Sequence, residues 1–164
     1  MSNLGRFRDA QDNRYAGYAT AIRELQAGRK TSHWIWYIFP QLVGLGQSPT
    51  ARHYGLVDVQ EAADYLRDPV LGERLVAAAA AVRTHLAKPA PVPLEEVLGS
   101  DIDALKLVSC MTLFRHVAKA LHATNPQPHF AAMADHADTI LTAAAAQGYG
   151  RCRYTEAHLR GPWP

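Results

Sequence analysis

The sequence has few cysteines, no long hydrophobic run and no export signal at its start. Its two cysteines lie in different settings, Cys110 in an apolar run and Cys152 in a polar, glycine-rich stretch. They are therefore predicted to be free thiols, which is typical of a reducing compartment. No run approaches the roughly 20 apolar residues that span a bilayer, and the first residues lack the apolar core of a signal peptide. These absences predict a soluble, cytoplasmic protein.

Positive and negative charges are nearly balanced in this sequence. The chain carries 17 lysines and arginines against 15 acidic residues, a formal net charge of +2. Such a balance provides no strong electrostatic attraction to nucleic acid or to an anionic membrane. The three arginines after Gly148 form only a weak basic patch without an aromatic stacking platform. We expect neither nucleic acid nor a membrane as a partner.

Motifs for the common catalytic chemistries are missing. The chain has no Walker lysine, no G-x-S-x-G elbow and no H-x-x-x-H pair, although it contains eight histidines. Cys110 falls on a predicted apolar helix face, where a thiol is usually inert. We therefore predict no metal site and no bound cofactor, and the sequence does not decide whether the protein is an enzyme.

Helix caps and apolar periodicity predict an all-α fold. Ser48-Pro49 and Asp68-Pro69 each pair a capping residue with a proline at the first helical position. Asp58 precedes Glu61, and Ser100 precedes Asp103, by the three residues of a capped helix start. With 48% hydrophobic residues, the chain predicts a single compact domain of about seven helices, several short, around a central helix near 101–123. The helical domain is expected over 1–147. A Gly/Arg/Pro-rich tail, loosely held or extended, is expected over 148–164.

The individual helices are placed by the same signals. Apolar spacing predicts a helix over 7–27 that breaks at Asp12-Asn13, with Gly28 after its end. The proline-rich stretch 88–93 is predicted to be a surface connection. The further helices are predicted at 33–39, 49–54, a segment including 61–66, 69–87, 101–123 and 130–147.

The most specific stretch runs from Ser32 to Ser48 and reads SHWIWYIFPQLVGLGQS. A helix over 33–39, capped by Thr31 or Ser32, presents bulky apolar side chains on every face, so it must be enclosed by protein or form the wall of a pocket. Trp34, Trp36 and the preceding Lys30 are candidate ligand contacts, since buried polar tips need partners. His33 is the best candidate for a general acid or base. The alternative is a core helix with no ligand.

The glycine-containing loop after this helix is a candidate anion site. It combines Gln41, Gly44 and Gly46 with the capped helix start at Ser48. Glycines let backbone amides approach a ligand, and a helix start favours negative charge. The alternative is that the glycines only make a tight turn.

A second set of polar residues lies on the predicted central helix. Leu107, Cys110 and Phe114 belong to its apolar face, while Lys106, Ser109 and Thr112 follow each other at intervals of three residues on another side. Lys106 is a candidate anion anchor, and the two hydroxyls are candidate hydrogen-bond donors. The alternative is an Asp103–Lys106 pair within the helix and hydroxyls satisfied by the backbone.

Several long motifs resemble a known family. They are the run from Lys30 through HWIWYIFPQLVGLGQS to Tyr54-Gly55, the EAADYL and PVLGERL segments, and LKLVSCMTLF. Through them the chain, to about Ala146, resembles a bacterial domain-of-unknown-function family, Rv1873-like, whose members often carry an automatic "calpastatin" label. The resemblance implies an all-helical single domain and brings no activity or catalytic residue. The label does not fit a chain with this hydrophobic content, because calpastatin is disordered.

Two functional hypotheses follow from these observations. The first is a protein that binds a small anionic or nucleotide-like ligand, or a small enzyme, with its site between the 30–48 segment and the 103–116 helix. The alternative is a protein–protein interaction or regulatory module without catalysis, such as a homodimer formed through exposed aromatic surface.

Overall fold

The computed structural model describes residues 2–87 and 89–164, and these fold into helices and loops without a β-strand. The prediction of an all-α domain with several short helices is confirmed. The helices in chain order are α1 (Gly5–Gln11), α2 (Tyr18–Ala27), α3 (Ile35–Ile38), α4 (Pro49–Tyr54), α5 (Val59–Arg67), α6 (Pro69–Leu86), α7 (Leu94–Leu98), α8 (Asp101–Thr124), α9 (Pro128–Ala146) and α10 (Arg153–His158).

Side-chain caps start four of these helices where the sequence predicted them. Ser48 accepts a hydrogen bond from the Ala51 amide, and Asp58 accepts one from the Glu61 amide. Asp68 accepts from two amides at the start of α6, and Ser100 accepts from the Asp103 amide at the start of α8. These bonds satisfy amides that have no partner within the helix.

The central helix α8 organises the core. Its predicted apolar face is buried, with Leu107, Cys110 and Phe114 fully enclosed. The three-residue connection after α8 turns the chain back, so α8 and α9 form an antiparallel hairpin, and α5, α7 and α10 pack on other sides of α8. Contacts on several sides explain why Leu113, outside the apolar stripe, is also buried. The predicted central position of this helix is confirmed.

The aromatic helix is shorter than predicted. It covers Ile35–Ile38, so the prediction of a helix over 33–39 is wrong at both ends. Trp34 occupies the N-cap position without a side-chain cap bond, and neither Thr31 nor Ser32 caps this helix. The expected enclosure is nevertheless correct, because the side chains from Trp34 to Phe39 are buried except for the half-buried Trp36.

Two short helices were not predicted. Residues Leu94–Leu98 form α7 between the predicted connection 88–93 and the predicted helix start at Ser100. Lys88, the first residue of that connection, lies outside the described residues. The C-terminal segment contains α10, on which Thr155 is fully buried. The expectation of a loose or extended tail is therefore wrong for these residues, because α10 packs on α8.

The described ranges also bear on membrane association. None of their helices combines the length and the apolar character needed to cross a bilayer.

Replacing Asp68 by alanine is expected to destabilise the fold by about 1–2 kcal/mol. The substitution removes the cap bonds to the Val70 and Leu71 amides, both 3.0 Å, and the ion pair with Arg8. Asp68→Asn is the matched control, since asparagine caps well but loses the charge, so its loss should be smaller. Urea unfolding at pH 7 measures both values, and an equal loss in the two variants would contradict the capping role.

Candidate functional site

The polar groups of the aromatic segment are held by one carboxylate from α2. Glu24 accepts hydrogen bonds from the Thr31 and Ser32 amides at 2.6 and 2.8 Å, and from the Ser32 hydroxyl at 2.6 Å. The indole N–H of Trp34 donates to the same carboxylate at 3.1 Å. Since Trp34 is fully buried, this bond gives its polar tip the partner that burial requires.

These bonds change the acidity of Glu24. Burial by itself would raise the pKa of the carboxyl, but the four donors outweigh it and lower the pKa to about 2. The carboxylate is thus charged throughout the neutral range. Because its four hydrogen bonds all come from residues 31–34, Glu24 acts as a structural clamp on that segment.

Four predicted site residues meet around Asp103, namely Lys30, Trp34, Trp36 and Lys106. The Asp103 carboxylate lies 2.8 Å from Lys30 Nζ and 3.2 Å from Lys106 Nζ. Lys30 Nζ also lies 5.2 Å from the centre of the Trp34 ring, and Lys106 Nζ lies 4.8 Å from that of Trp36. The predicted approach of the 30–36 segment to the start of α8 is thus observed. Both ammonium groups share one internal carboxylate.

Gln41 completes this cluster, but little space remains inside it. Trp36, Gln41 and Lys106 line a recess with Phe39 and Tyr54 that is too narrow to admit a water molecule. Gln41 is buried there. A ligand at this point would have to displace side chains, so the ligand-binding role of these residues stays a prediction.

His33 lies apart from the cluster. Its side chain is exposed, and it lines neither the recess at Gln41 nor the cavity beside α8 that is described below. Tyr37, four residues further along the chain, does approach, but its hydroxyl donates to the Ala16 carbonyl at 2.7 Å and lies 3.1 Å from the His33 carbonyl oxygen. The contact is therefore made by the backbone of His33, and the acid–base role of its ring stays a prediction.

The glycine loop is closed at its base and covered by the C-terminal helix. Backbone bonds join Val43 N to Leu56 O at 2.8 Å and Leu56 N to Gln41 O at 2.9 Å. Gly44 has a φ of +100°, which a side chain rarely adopts, and a Cβ there would clash with the Tyr154 hydroxyl. That hydroxyl donates to the Val43 carbonyl at 2.8 Å.

Gly46 and Ser48 also have partners within the loop. A Cβ on Gly46 would lie 2.7 Å from the Ala51 side chain, so α4 packs closely over this position. The Ser48 hydroxyl is used in capping α4, 3.1 Å from the Ala51 amide. These contacts explain both residues as parts of a tight turn, and the proposed anion cradle stays a prediction.

The C-terminal segment also contacts the other half of the predicted site. The Ser109 hydroxyl donates to the Leu105 carbonyl at 3.1 Å and lies 3.2 Å from Cys152 Sγ, which in turn lies 3.0 Å from the Thr155 hydroxyl. With Tyr154 on the glycine loop, residues 152–155 bridge the loop and α8. The chain's own tail therefore stands between the two elements where a ligand was expected.

A cavity of about 800 Å³ lies on the other side of this tail. Its walls come from α8, from the last turns of α9 and from the segment 149–160. Thr112 is the predicted site residue that faces it, although its hydroxyl donates to the Val108 carbonyl at 2.7 Å. The lining residues are Val108, Thr112, Arg115, His116, Lys119, Ala120, Leu141, Thr142, Ala144, Ala145, Tyr149, Gly150, Arg151, Glu156, Leu159 and Arg160.

Carboxylates orient three of the four cations in this cavity. Asp138 lies 3.4 Å from Arg115 Nε and 3.3 Å from Lys119 Nζ, and Glu156 lies 2.6 Å from Arg151 Nε. For Arg160 the described residues offer no carboxylate at ion-pair distance. One carboxylate serves two cations and another cation has none, so positive charge remains in excess.

His116 adds a neutral ring to this charged wall. Burial and the neighbouring Arg115 both lower the pKa of His116 below its usual value, so the imidazole is uncharged at neutral pH. Its ring centre lies 5.9 Å from that of Trp163, which shields one side. A neutral imidazole offers one donor and one acceptor to a bound molecule.

Sequence reasoning missed the residues that carry this charge, although a signal was present. Arg115, His116 and Lys119 follow Thr112 at three, four and seven positions, which places all four on one face of α8. The predicted row of polar residues ended at Thr112 and should have been continued for two more turns. For Arg151 and Arg160 the sequence predicts only a weak basic patch, because their approach to α8 depends on the docking of α10.

Comparisons with known proteins agree with the resemblance seen in the sequence. The family model described as "Protein of unknown function (DUF1810)" matches residues 1–141. The fold is similar to the crystal structure of the conserved hypothetical protein Rv1873 from Mycobacterium tuberculosis, with 36% sequence identity and a TM-score of 0.69 over 94% of each chain. A search of curated proteins gives no match.

Replacing Glu24 by glutamine is expected to lower the stability at pH 7 by about 1–2 kcal/mol, because hydrogen bonds to a charged acceptor are weakened. The pKa of Glu24 in the folded state, about 2, is below its ordinary value of 4.5. The stabilisation is therefore complete above pH 4.5 and is lost as the pH falls towards 2. Urea unfolding from pH 7 to pH 3 should show the gap between wild type and variant closing, and a constant gap would contradict the clamp.

Replacing Gly44 by alanine is expected to release α10 from the glycine loop, because the positive φ and the Tyr154 hydroxyl both exclude a Cβ. Trypsin should then cleave faster after Arg153 and Arg160. Gly161→Ala is the control, since no atom lies within 4 Å of a Cβ at that position. Equal cleavage rates in wild type and Gly44→Ala would show that the loop does not hold α10.

Proposed function

This chain belongs to DUF1810, a family of proteins of unknown function, and from the geometry of the cavity between α8, α9 and the C-terminal segment we propose that it binds a small anionic ligand there. The observation that carries the proposal is the convergence of four cationic side chains on one concave site. Two come from α8 and two from the segment 149–160.

The size and chemistry of the cavity support a small molecule. Ligand sites commonly enclose roughly 300–1,000 Å³ and combine apolar walls with a few placed polar groups. Here the volume is about 800 Å³, and apolar side chains of α8 and α9 accompany the cations. Guanidinium groups match phosphate and carboxylate geometry because their donors form a planar fork.

The charge balance supports an anion over a neutral ligand. Asp138 and Glu156 orient Arg115, Lys119 and Arg151, and together these five groups carry one net positive charge. Arg160 adds a second. This excess positive charge attracts a ligand of opposite charge, and a neutral ligand would gain no such attraction.

The proposed ligand class is the one predicted from the sequence, but the proposed location differs. The expected position between the glycine loop and Ser109 is filled by residues 152–155, while Thr112 lies on the wall of the open cavity. An interaction module without a ligand is the alternative, and sedimentation velocity on the intact chain would detect its homodimeric form.

Both cysteines are free thiols, which supports a cytoplasmic location.

Replacing Arg160 by glutamine is expected to weaken the binding of inorganic phosphate by about tenfold or more, because a charge-assisted hydrogen bond is lost. Arg115→Gln should act in the same direction. Titrating phosphate into isotopically labelled protein should shift amide resonances of residues 112–119 and 149–160.

The matched control is Arg23→Gln, a substitution of an exposed arginine on α2 away from the cavity. It should leave the phosphate titration unchanged. If phosphate shifts resonances evenly over the surface, or if all three variants titrate like the wild type, the proposed binding site is wrong.

A further inference from the structure

The cavity beside α8 is longer than a small inorganic anion requires. Its wall on α8 runs from Val108 to Lys119, which corresponds to about 16 Å along a helix axis. An inorganic anion held by a few cationic groups would occupy one end of such a space. The remaining length is therefore available to a further part of the same ligand.

The two ends of the cavity differ in chemistry. The ion pairs of Arg115 and Lys119 with Asp138 set the register of the antiparallel hairpin and place both cations at one end of the cavity. The same register places Val108 beside Ala144 and Ala145 at the other end. Arg151 also lies at this end, because the next residue, Cys152, contacts Ser109, and Glu156 at 2.6 Å neutralises its charge. One end thus carries the excess positive charge, and the other combines an apolar wall with a neutralised ion pair.

The cationic end favours two negative charges on one centre. Arg115 and Lys119 lie one turn apart on the same face of α8 and share the carboxylate of Asp138, which leaves one positive charge. Arg160, from the C-terminal segment that lines the same cavity, adds a second. A phosphate monoester is a dianion at neutral pH, since its second pKa is about 6, and it carries both charges on one group.

Resting on the proposed anion-binding function, we infer that the ligand class is an organic phosphate monoester. Its phosphate lies at Arg115 and Lys119, and its apolar body lies along α8 and α9 towards Val108. Leu141 and Leu159 contact this body from α9 and from the C-terminal segment. The apolar wall should increase affinity in proportion to the apolar surface that the ligand buries.

Calorimetric titration of the full chain with three probes tests this inference. The probes are inorganic phosphate, phenyl phosphate and succinate, a dicarboxylate whose charges are separated. Phenyl phosphate is expected to bind about tenfold more tightly than inorganic phosphate, because its ring enters the apolar end. Succinate is expected to bind more weakly than phenyl phosphate.

Two variants separate the apolar contribution from the charge. Leu159→Ser should reduce the preference for phenyl phosphate over inorganic phosphate, and Leu141→Ser provides the same test on α9. Thermal unfolding checks that each variant is folded.

The outcomes distinguish the two proposals. Equal affinities for inorganic phosphate and phenyl phosphate would overturn the inference and leave the anion site intact. Tighter binding of succinate than of phenyl phosphate would overturn the phosphate assignment. If none of the three probes binds, the anion site itself is wrong and the inference falls with it.

Discussion

The rest of the structure depends on burying the aromatic segment from Trp34 to Phe39. Its side chains are apolar on every face, so it cannot lie at the surface, yet its backbone and its ring tips need polar partners. The Gln11 side chain donates to the Tyr37 carbonyl at 2.7 Å, Glu24 holds the Trp34 indole, and Lys30 beside the segment pairs with Asp103. Since these partners come from α1, α2 and α8, satisfying the segment draws the first third of the chain onto the central helix.

Helix α8 therefore serves different purposes along its length. Its first turns hold the aromatic segment through Asp103, whose carboxylate pairs with both Lys30 and Lys106 beside a recess too narrow to admit a water molecule. Its later turns present Arg115 and Lys119 to a cavity, where the carboxylate of Asp138 orients both cations without neutralising them. The same kinds of side chain are thus closed off at one end of the helix and available at the other. This difference in accessible space is the reason for locating the proposed function at the second end.

The C-terminal segment connects the two ends of α8. Tyr154 bonds to the glycine loop, Cys152 contacts Ser109, and the neighbouring Arg151, Leu159 and Arg160 form a wall of the cavity. A six-residue helix has little stability of its own, so α10 exists through its contacts with the loop and with α8. The cavity consequently depends on the docking of a segment for which the sequence predicts only a weak basic patch.

Local sequence patterns predict the all-α class, the capped starts at Ser48, Asp58, Asp68 and Ser100, the buried face of α8 and the enclosure of the aromatic segment. These features are set within one or two helical turns, where spacing dictates contacts. The packing of distant elements, by contrast, places Asp103 between Lys30 and Lys106, leaves His33 exposed and brings α10 over Gly44. It also makes Thr112, Arg115 and Lys119 face Arg160 across a cavity, because residues more than 40 positions apart meet through packing, and no local pattern encodes that packing.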